Sequence, residues 1–87
     1  MIYKVKTKTY KSYNAAVNWA IAKKAPITNE NGKNVPILCV GELVEFNNEC
    51  YMVCDINANG VVLYGIGHKV GVYGENLLDI DCSDSEV

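Results

Sequence analysis

The sequence predicts an α+β domain: a small β-barrel of four short strands over residues 41–80, preceded by a strand, a helix and a hairpin over residues 1–40. Three observations carry this reading. The stretch GELVEFNNECYMVCDINANGVVLYGIGHKVGVYGENLLDI is a series of short β-branched and aromatic runs, cut at even intervals by Asn, Asp and Gly. Hydrophobic alternation in residues 2–9 gives way to a helical period in residues 13–24. With 87 residues, 49% of them apolar, the chain can bury one modest core, so residues 1–87 are expected to form a single domain, with 81–87 an acidic tail.

In residues 2–9, Tyr3, Val5, Thr7 and Thr9 fall on one side and Lys4, Lys6 and Lys8 on the other, the period of one half-buried strand with an exposed lysine row. Such a row keeps an edge strand from pairing with other chains, or with Lys11 serves as a basic strip for an acidic partner. Ser12 suits the N-cap of a helix over residues 13–24, which must stop before Pro26 because proline disfavours helical geometry in Ala25. Tyr13, Ala16, Val17, Ala20 and Ile21 share one helix face. Trp19 lies on its flank, where it either covers the core's edge or anchors a partner. Asn31-Gly32 accepts the positive φ angles of a tight turn, so strands are expected near 26–29 and 34–39, the second at an edge because of Pro36.

In the central stretch, residues 43–46 and 50–56 are expected to form a hairpin turning at Asn47-Asn48. A second turn at residues 57–60 leads into 61–66. A glycine-rich loop, Gly65-Ile66-Gly67-His68, then precedes a strand at 70–73, a turn at Glu75-Asn76-Leu77-Leu78 and a closing Ile80. The order Gly41-Glu42-x-Val44, Tyr51-x-Val53, Gly60, Val62-x-Tyr64, Val70-x-Val72 and Leu77-Leu78-x-Ile80 resembles the SH3-like small barrels, a group that includes KOW and Tudor-like domains and many short phage and bacterial proteins. The resemblance covers about half the chain through generic motifs. It implies a barrel that binds peptides, RNA, DNA or larger complexes, a fold-level implication only. The aromatic run of proline-peptide-binding SH3 domains is missing, so no binding residues carry over from that branch.

Two motifs invite a chemical reading. Asp55-Ile56-Asn57-Ala58-Asn59-Gly60 fits the first half of an EF-hand loop, but position twelve, which must supply a bidentate carboxylate, is Ile66, and the flanks are strand-like. Gly65-Ile66-Gly67-His68 lacks the third glycine, the lysine-serine pair and the helix that a phosphate loop requires. His68 is the only histidine, and nothing ties it to an acid or thiol. Cys39, Cys50, Cys54 and Cys82 include no CxxC pair and are expected as free thiols; Cys50 and Cys54, four residues apart on one strand, would lie about 13 Å apart, beyond disulfide reach.

Charge divides the chain. Residues 1–29 hold six lysines and no acid, whereas residues 42–87 hold nine acids against Lys69 alone, within a net charge of −2. The simplest expectation is mutual attraction of the halves across the domain. Eight lysines, no arginine, no glutamine and ten asparagines reflect AT-rich codons, the bias of a low-GC bacterium or its phage.

No residue set has the spacing of nucleophilic, metal or paired-carboxylate catalysis, and no cofactor is expected, so the sequence reads as a non-enzymatic protein-interaction module. Its profile is that of a phage or mobile-element accessory protein that binds or inhibits a host complex, as anti-CRISPR proteins do. Glu42, Glu45, Glu49 and Asp55, with the acidic tail, would form the contact face, and Trp19 an aromatic anchor. The alternative is a nucleic-acid-binding barrel using Lys4, Lys6, Lys8 and Lys11; the lack of arginine forks and the negative net charge weigh against it. No run approaches the roughly 20 apolar residues of a membrane span, and no signal-peptide pattern opens the chain, so a cytoplasmic protein is expected.

Overall fold

The computed structural model describes residues 1–82. It is a mixed α+β fold of two antiparallel sheets and one α-helix. The first sheet holds β1 (Tyr3–Val5), β2 (Lys8–Tyr10), β3 (Ile27–Asn29) and β4 (Asn34–Val35), in the order β2-β1-β3-β4, with α1 (Tyr13–Lys23) packed on it. The second holds β5 (Leu43–Phe46), β6 (Glu49–Ile56), β7 (Gly60–Gly65), β8 (His68–Tyr73) and β9 (Asp81–Cys82), in the order β8-β7-β6-β5-β9. A 3-10 turn, Gly74–Asp79, links β8 to β9.

The N-terminal strand is not continuous. Lys6 takes a left-handed φ of 54°, so the chain reverses at Lys6-Thr7 and β2 pairs back on β1 with Val5 opposite Lys8. The expected lysine row is thereby broken. Lys4 projects from the outer face, Lys6 sits in the turn, and Lys8 falls on the helix side with buried Tyr3 and Val5.

Ser12 caps α1 as expected, its Oγ accepting from the Ala15 amide at 3.3 Å. The helix ends one residue earlier than the proline argument set it. Lys24 turns left-handed (φ 54°), its amide donates to the Ile21 carbonyl and the Ala25 amide donates to the Ala20 carbonyl, the pair of bonds that closes a helix in the Schellman manner. Between β3 and β4, buried Asn29 holds the turn, its Oδ1 accepting from the Asn31 and Lys33 amides at 2.9 and 3.0 Å. Both strands meet this turn where expected but are shorter at their far ends, β3 starting at Ile27 and β4 stopping at Val35, just before Pro36, which has no amide to donate.

In the second sheet, β5 turns into β6 through Asn47 and Asn48, both at positive φ (54° and 65°), the backbone of a type I′ hairpin and a conformation asparagine tolerates. The expected glycine-rich loop is in fact another two-residue turn of this type. Gly65 pairs with His68 as strand ends, leaving Ile66 (φ 53°) and Gly67 (φ 77°) at the tip. A bulge lets β6 pass from Val53 to Asp55 against consecutive β7 residues, with Cys54 as the extra residue. Asp81 and Cys82, assigned from sequence to a solvated tail, instead pair with Glu45 and Val44 of β5; the rest of the tail, 83–87, lies outside the described residues.

Both sheets share one core. Tyr3, Val5, Tyr13, Ala16, Val17, Ala20 and Ile27 from the first layer join Val44, Val53, Val61, Leu63, Val72 and Leu77 from the second. Tyr13 is the joint. Fully buried, it meets the Tyr3 ring edge-on at 5.5 Å, and its hydroxyl donates to the Pro36 carbonyl at 2.7 Å.

Burial pushes the Tyr13 hydroxyl far above an ordinary tyrosine, and burial with the nearby Glu30 carboxylate raises that of Tyr3. The folded protein therefore keeps both rings neutral where the unfolded chain ionises them. Their stabilising effect is complete below about pH 10, the ordinary tyrosine value, and is lost as pH rises beyond it. Tyr13→Phe should cost about 1–2 kcal/mol near neutrality through the lost bond and the orphaned Pro36 carbonyl, yet move the alkaline unfolding midpoint upward; circular dichroism against pH and urea checks both.

Candidate functional site

The acidic residues singled out from sequence do not gather on one face. Glu45 and Asp55 project from the outer face of the second sheet, placed there by the alternation of β5 and by the bulge of β6. Glu42 turns back to accept a hydrogen bond from the Cys39 amide at 3.0 Å. Glu49 accepts from the Tyr51 hydroxyl at 3.1 Å on the opposite side of β6, and burial together with this bond raises the Tyr51 hydroxyl.

What the sheet does assemble is an apolar row. Leu43 lies opposite Met52, Met52 opposite Tyr64, and Tyr64 opposite Lys69, so one line crosses β5, β6, β7 and β8 on the outer face. Leu43, Met52 and Tyr64 are 60%, 40% and 46% exposed. Glu45, opposite Cys50, borders the row on one side; Asp55, opposite Val62, borders it on the other. Tyr73 extends the aromatic surface, its ring lying over Gly71, where an added Cβ would come within 2.5 Å of the hydroxyl. The row was legible in principle, because Leu43, Met52 and Tyr64 alternate with core residues, but bringing them abreast required the hairpin registers.

Ile66 stands beyond Tyr64 at the tip of the β7–β8 hairpin, 60% exposed. A β-branched residue at φ 53° is sterically disfavoured where Asn or Gly would sit at ease, so an apolar side chain is displayed there against local preference.

Trp19 and the lysines make a different surface. The Lys8 and Lys23 ammoniums lie 4.6 and 4.7 Å from the Trp19 ring centroid, and the half-buried ring packs against the core. Lys8 reaches the ring because its strand reverses at Lys6; Lys23 reaches it from one helical turn on. The ring is thus already engaged with cations, and Lys8 is drawn away from Lys4, exposed on β1, and Lys11, exposed in the connection between β2 and α1. The lysines meet an aromatic ring, and among the described residues no ion pair ties the basic third to the acidic sheet. The halves are joined by the apolar core instead.

The calcium-like segment is a structural clip. Asn57 Oδ1 accepts from the Asn59 and Gly60 amides at 2.9 and 3.1 Å, the Ala58 carbonyl accepts from the Tyr13 amide at 2.8 Å, and the Asn59 carbonyl accepts from Gly74 at 3.3 Å. Asp55 points out of the sheet, away from these oxygens. His68 is exposed, its Nδ1 3.3 Å from the Ile66 carbonyl oxygen and its ring 6.3 Å from that of Tyr51. Among the described residues no three His, Cys, Asp or Glu side chains are grouped to share a metal ion, and no helix is long and apolar enough to cross a membrane. Cys39 and Cys50 are exposed free thiols, and Cys54 is a half-buried one. No protein-family model, curated protein or solved structure matches the chain.

Replacing Ile66 with Asn should relieve the strained tip and stabilise the protein by about 1 kcal/mol, read as a higher urea midpoint with unchanged slope.

Proposed function

We propose that the chain is a non-enzymatic protein-interaction module whose contact surface is the outer face of the β5–β8 meander. The observation that supports this reading is the in-register row of Leu43, Met52 and Tyr64, extended by Ile66 at a conformationally costly position. Exposed aromatic and Met side chains side by side on a rigid sheet are the ingredients of an interface centre. Glu45 and Asp55 on the flanks favour a partner with an apolar centre and a basic rim. Trp19, covered by Lys8 and Lys23, has the smaller part, that of covering the core's edge.

The SH3-like reading of residues 41–80 belongs to the same proposal. What supports it is that Gly74–Asp79 carries the chain from β8 at one edge of the sheet to β9 at the other; among the described residues the sheet itself is open, with β8 and β9 not paired to each other. A phage or mobile-element accessory protein that occupies a host complex, as anti-CRISPR proteins do, is the context that fits the lysine- and asparagine-rich composition.

The test is affinity capture from a nuclease-treated lysate of the native host with the wild-type chain and with Met52→Lys/Tyr64→Lys. A protein retained by the first and lost from the second, with melting temperature changed by no more than a few degrees, is the expected result. Equal retention by both, or retention of nucleic acid alone in an untreated lysate, would remove this surface from the account.

A further inference from the structure

The second sheet ends on one side in β8, six residues long and hydrogen-bonded to β7 through six consecutive register pairs without a bulge. Among the described residues β8 pairs with no other strand. A strand of this kind is a template for further pairing, and proteins ordinarily blunt it with proline, bulges, short length or several charges. The other edges are blunted among the described residues: β2 has three residues and carries Lys8, and β4 and β9 have two residues each. β8 has no proline and a single charge, Lys69.

We infer that β8 pairs antiparallel with β8 of a second copy, joining two five-stranded sheets edge to edge in a two-fold dimer. Strand alternation restricts the register, since residues directly opposite must share a face. Lys69, Gly71 and Tyr73 face outward and Val70 and Val72 inward, so the two-fold axis passes through a residue. Centred on Val70, the pairing brings the two Lys69 ammoniums close. Centred on Gly71, it sets Lys69 opposite the partner's Tyr73 and Val70 opposite the partner's Val72, and Gly71 meets its own copy where neither has a side chain. This second register also carries charge complementarity. Lys69 is the only cation among residues 42–82, and Glu75 is exposed just beyond the other end of β8, so each copy's Lys69 arrives beside the other's Tyr73 and Glu75. The axis runs perpendicular to the sheet, so both outer faces point the same way and the dimer presents two Met52–Tyr64 rows side by side.

Analytical ultracentrifugation of the full chain over a concentration series tests this. Wild type is expected to shift from 9.6 kDa to twice that mass as concentration rises. Lys69→Glu and Glu75→Lys should each weaken the dimer at least about tenfold, and the double exchange Lys69→Glu/Glu75→Lys, which re-forms the pair with signs reversed, should restore it. Both positions are exposed, and far-UV circular dichroism confirms that each variant is folded before its mass is read. A monomer at the highest soluble concentration, a higher oligomer, single variants that dimerise like wild type, or a double exchange that fails to restore association would each overturn the proposal.

Discussion

The Tyr13 amide has no partner within its own helix, because the first turn of any helix leaves its donors unsatisfied. Here it donates to the Ala58 carbonyl in the β6–β7 turn, a residue far along the chain and in the other layer. That turn is shaped by Asn57, whose side chain accepts from two amides, and it also holds Gly74 at the start of the 3-10 turn. Gly60 can have no side chain there, since a Cβ would run into the Val72 carbonyl and the Tyr73 backbone. One turn therefore fixes the helix, the meander and the path to β9. With the turn in place, Tyr13 is carried into the core to bond Pro36 and meet the Tyr3 ring edge-on, and the two sheets bury one set of apolar side chains rather than two.

This arrangement explains why a chain of 87 residues can leave several large apolar side chains in water. The inner faces of both sheets and one face of α1 are spent on the shared core, and the outer face of the meander is left for display. On that face the alternation of the strands aligns Leu43, Met52 and Tyr64, with Glu45 and Asp55 on the flanks. The basic third contributes differently: Lys8 and Lys23 settle on Trp19, where a ring quadrupole rather than a carboxylate receives them. Charge division in the sequence is thus a property of the surface offered outward, while apolar burial holds the halves together.

Much of the fold was legible because local signals were strong. Ser12, the period of residues 13–23, Asn47-Asn48 and the alternation of β5 to β8 each named their element, since capping, amphipathicity and turn chemistry act within a few residues. Three features were not legible. The Lys6 reversal has no glycine or asparagine to announce it, and Ile66 occupies a conformation its residue type argues against, so tertiary structure imposes both. The β9 pairing joins Asp81 and Cys82 to β5 across more than thirty residues in a stretch whose composition resembles a solvated tail. The candidate face shared this fate: its members could be called outward-facing from alternation, but Glu42 and Glu49 were grouped with Glu45 and Asp55 by charge alone, and only register and hydrogen bonding separate them.

The central claim is that the Asn57–Gly60 turn makes the two layers one cooperative unit. Native-state hydrogen exchange on wild type and Asn57→Ala measures this directly, by comparing the opening free energies of α1 amides and of β6–β7 amides. If the layers fold as one, the slowest amides of both regions share a single opening free energy, and the substitution lowers both by the same amount, about 1–2 kcal/mol for the lost side-chain bonds. A drop confined to β6–β7 with α1 unchanged would show that the layers open separately and would contradict the claim.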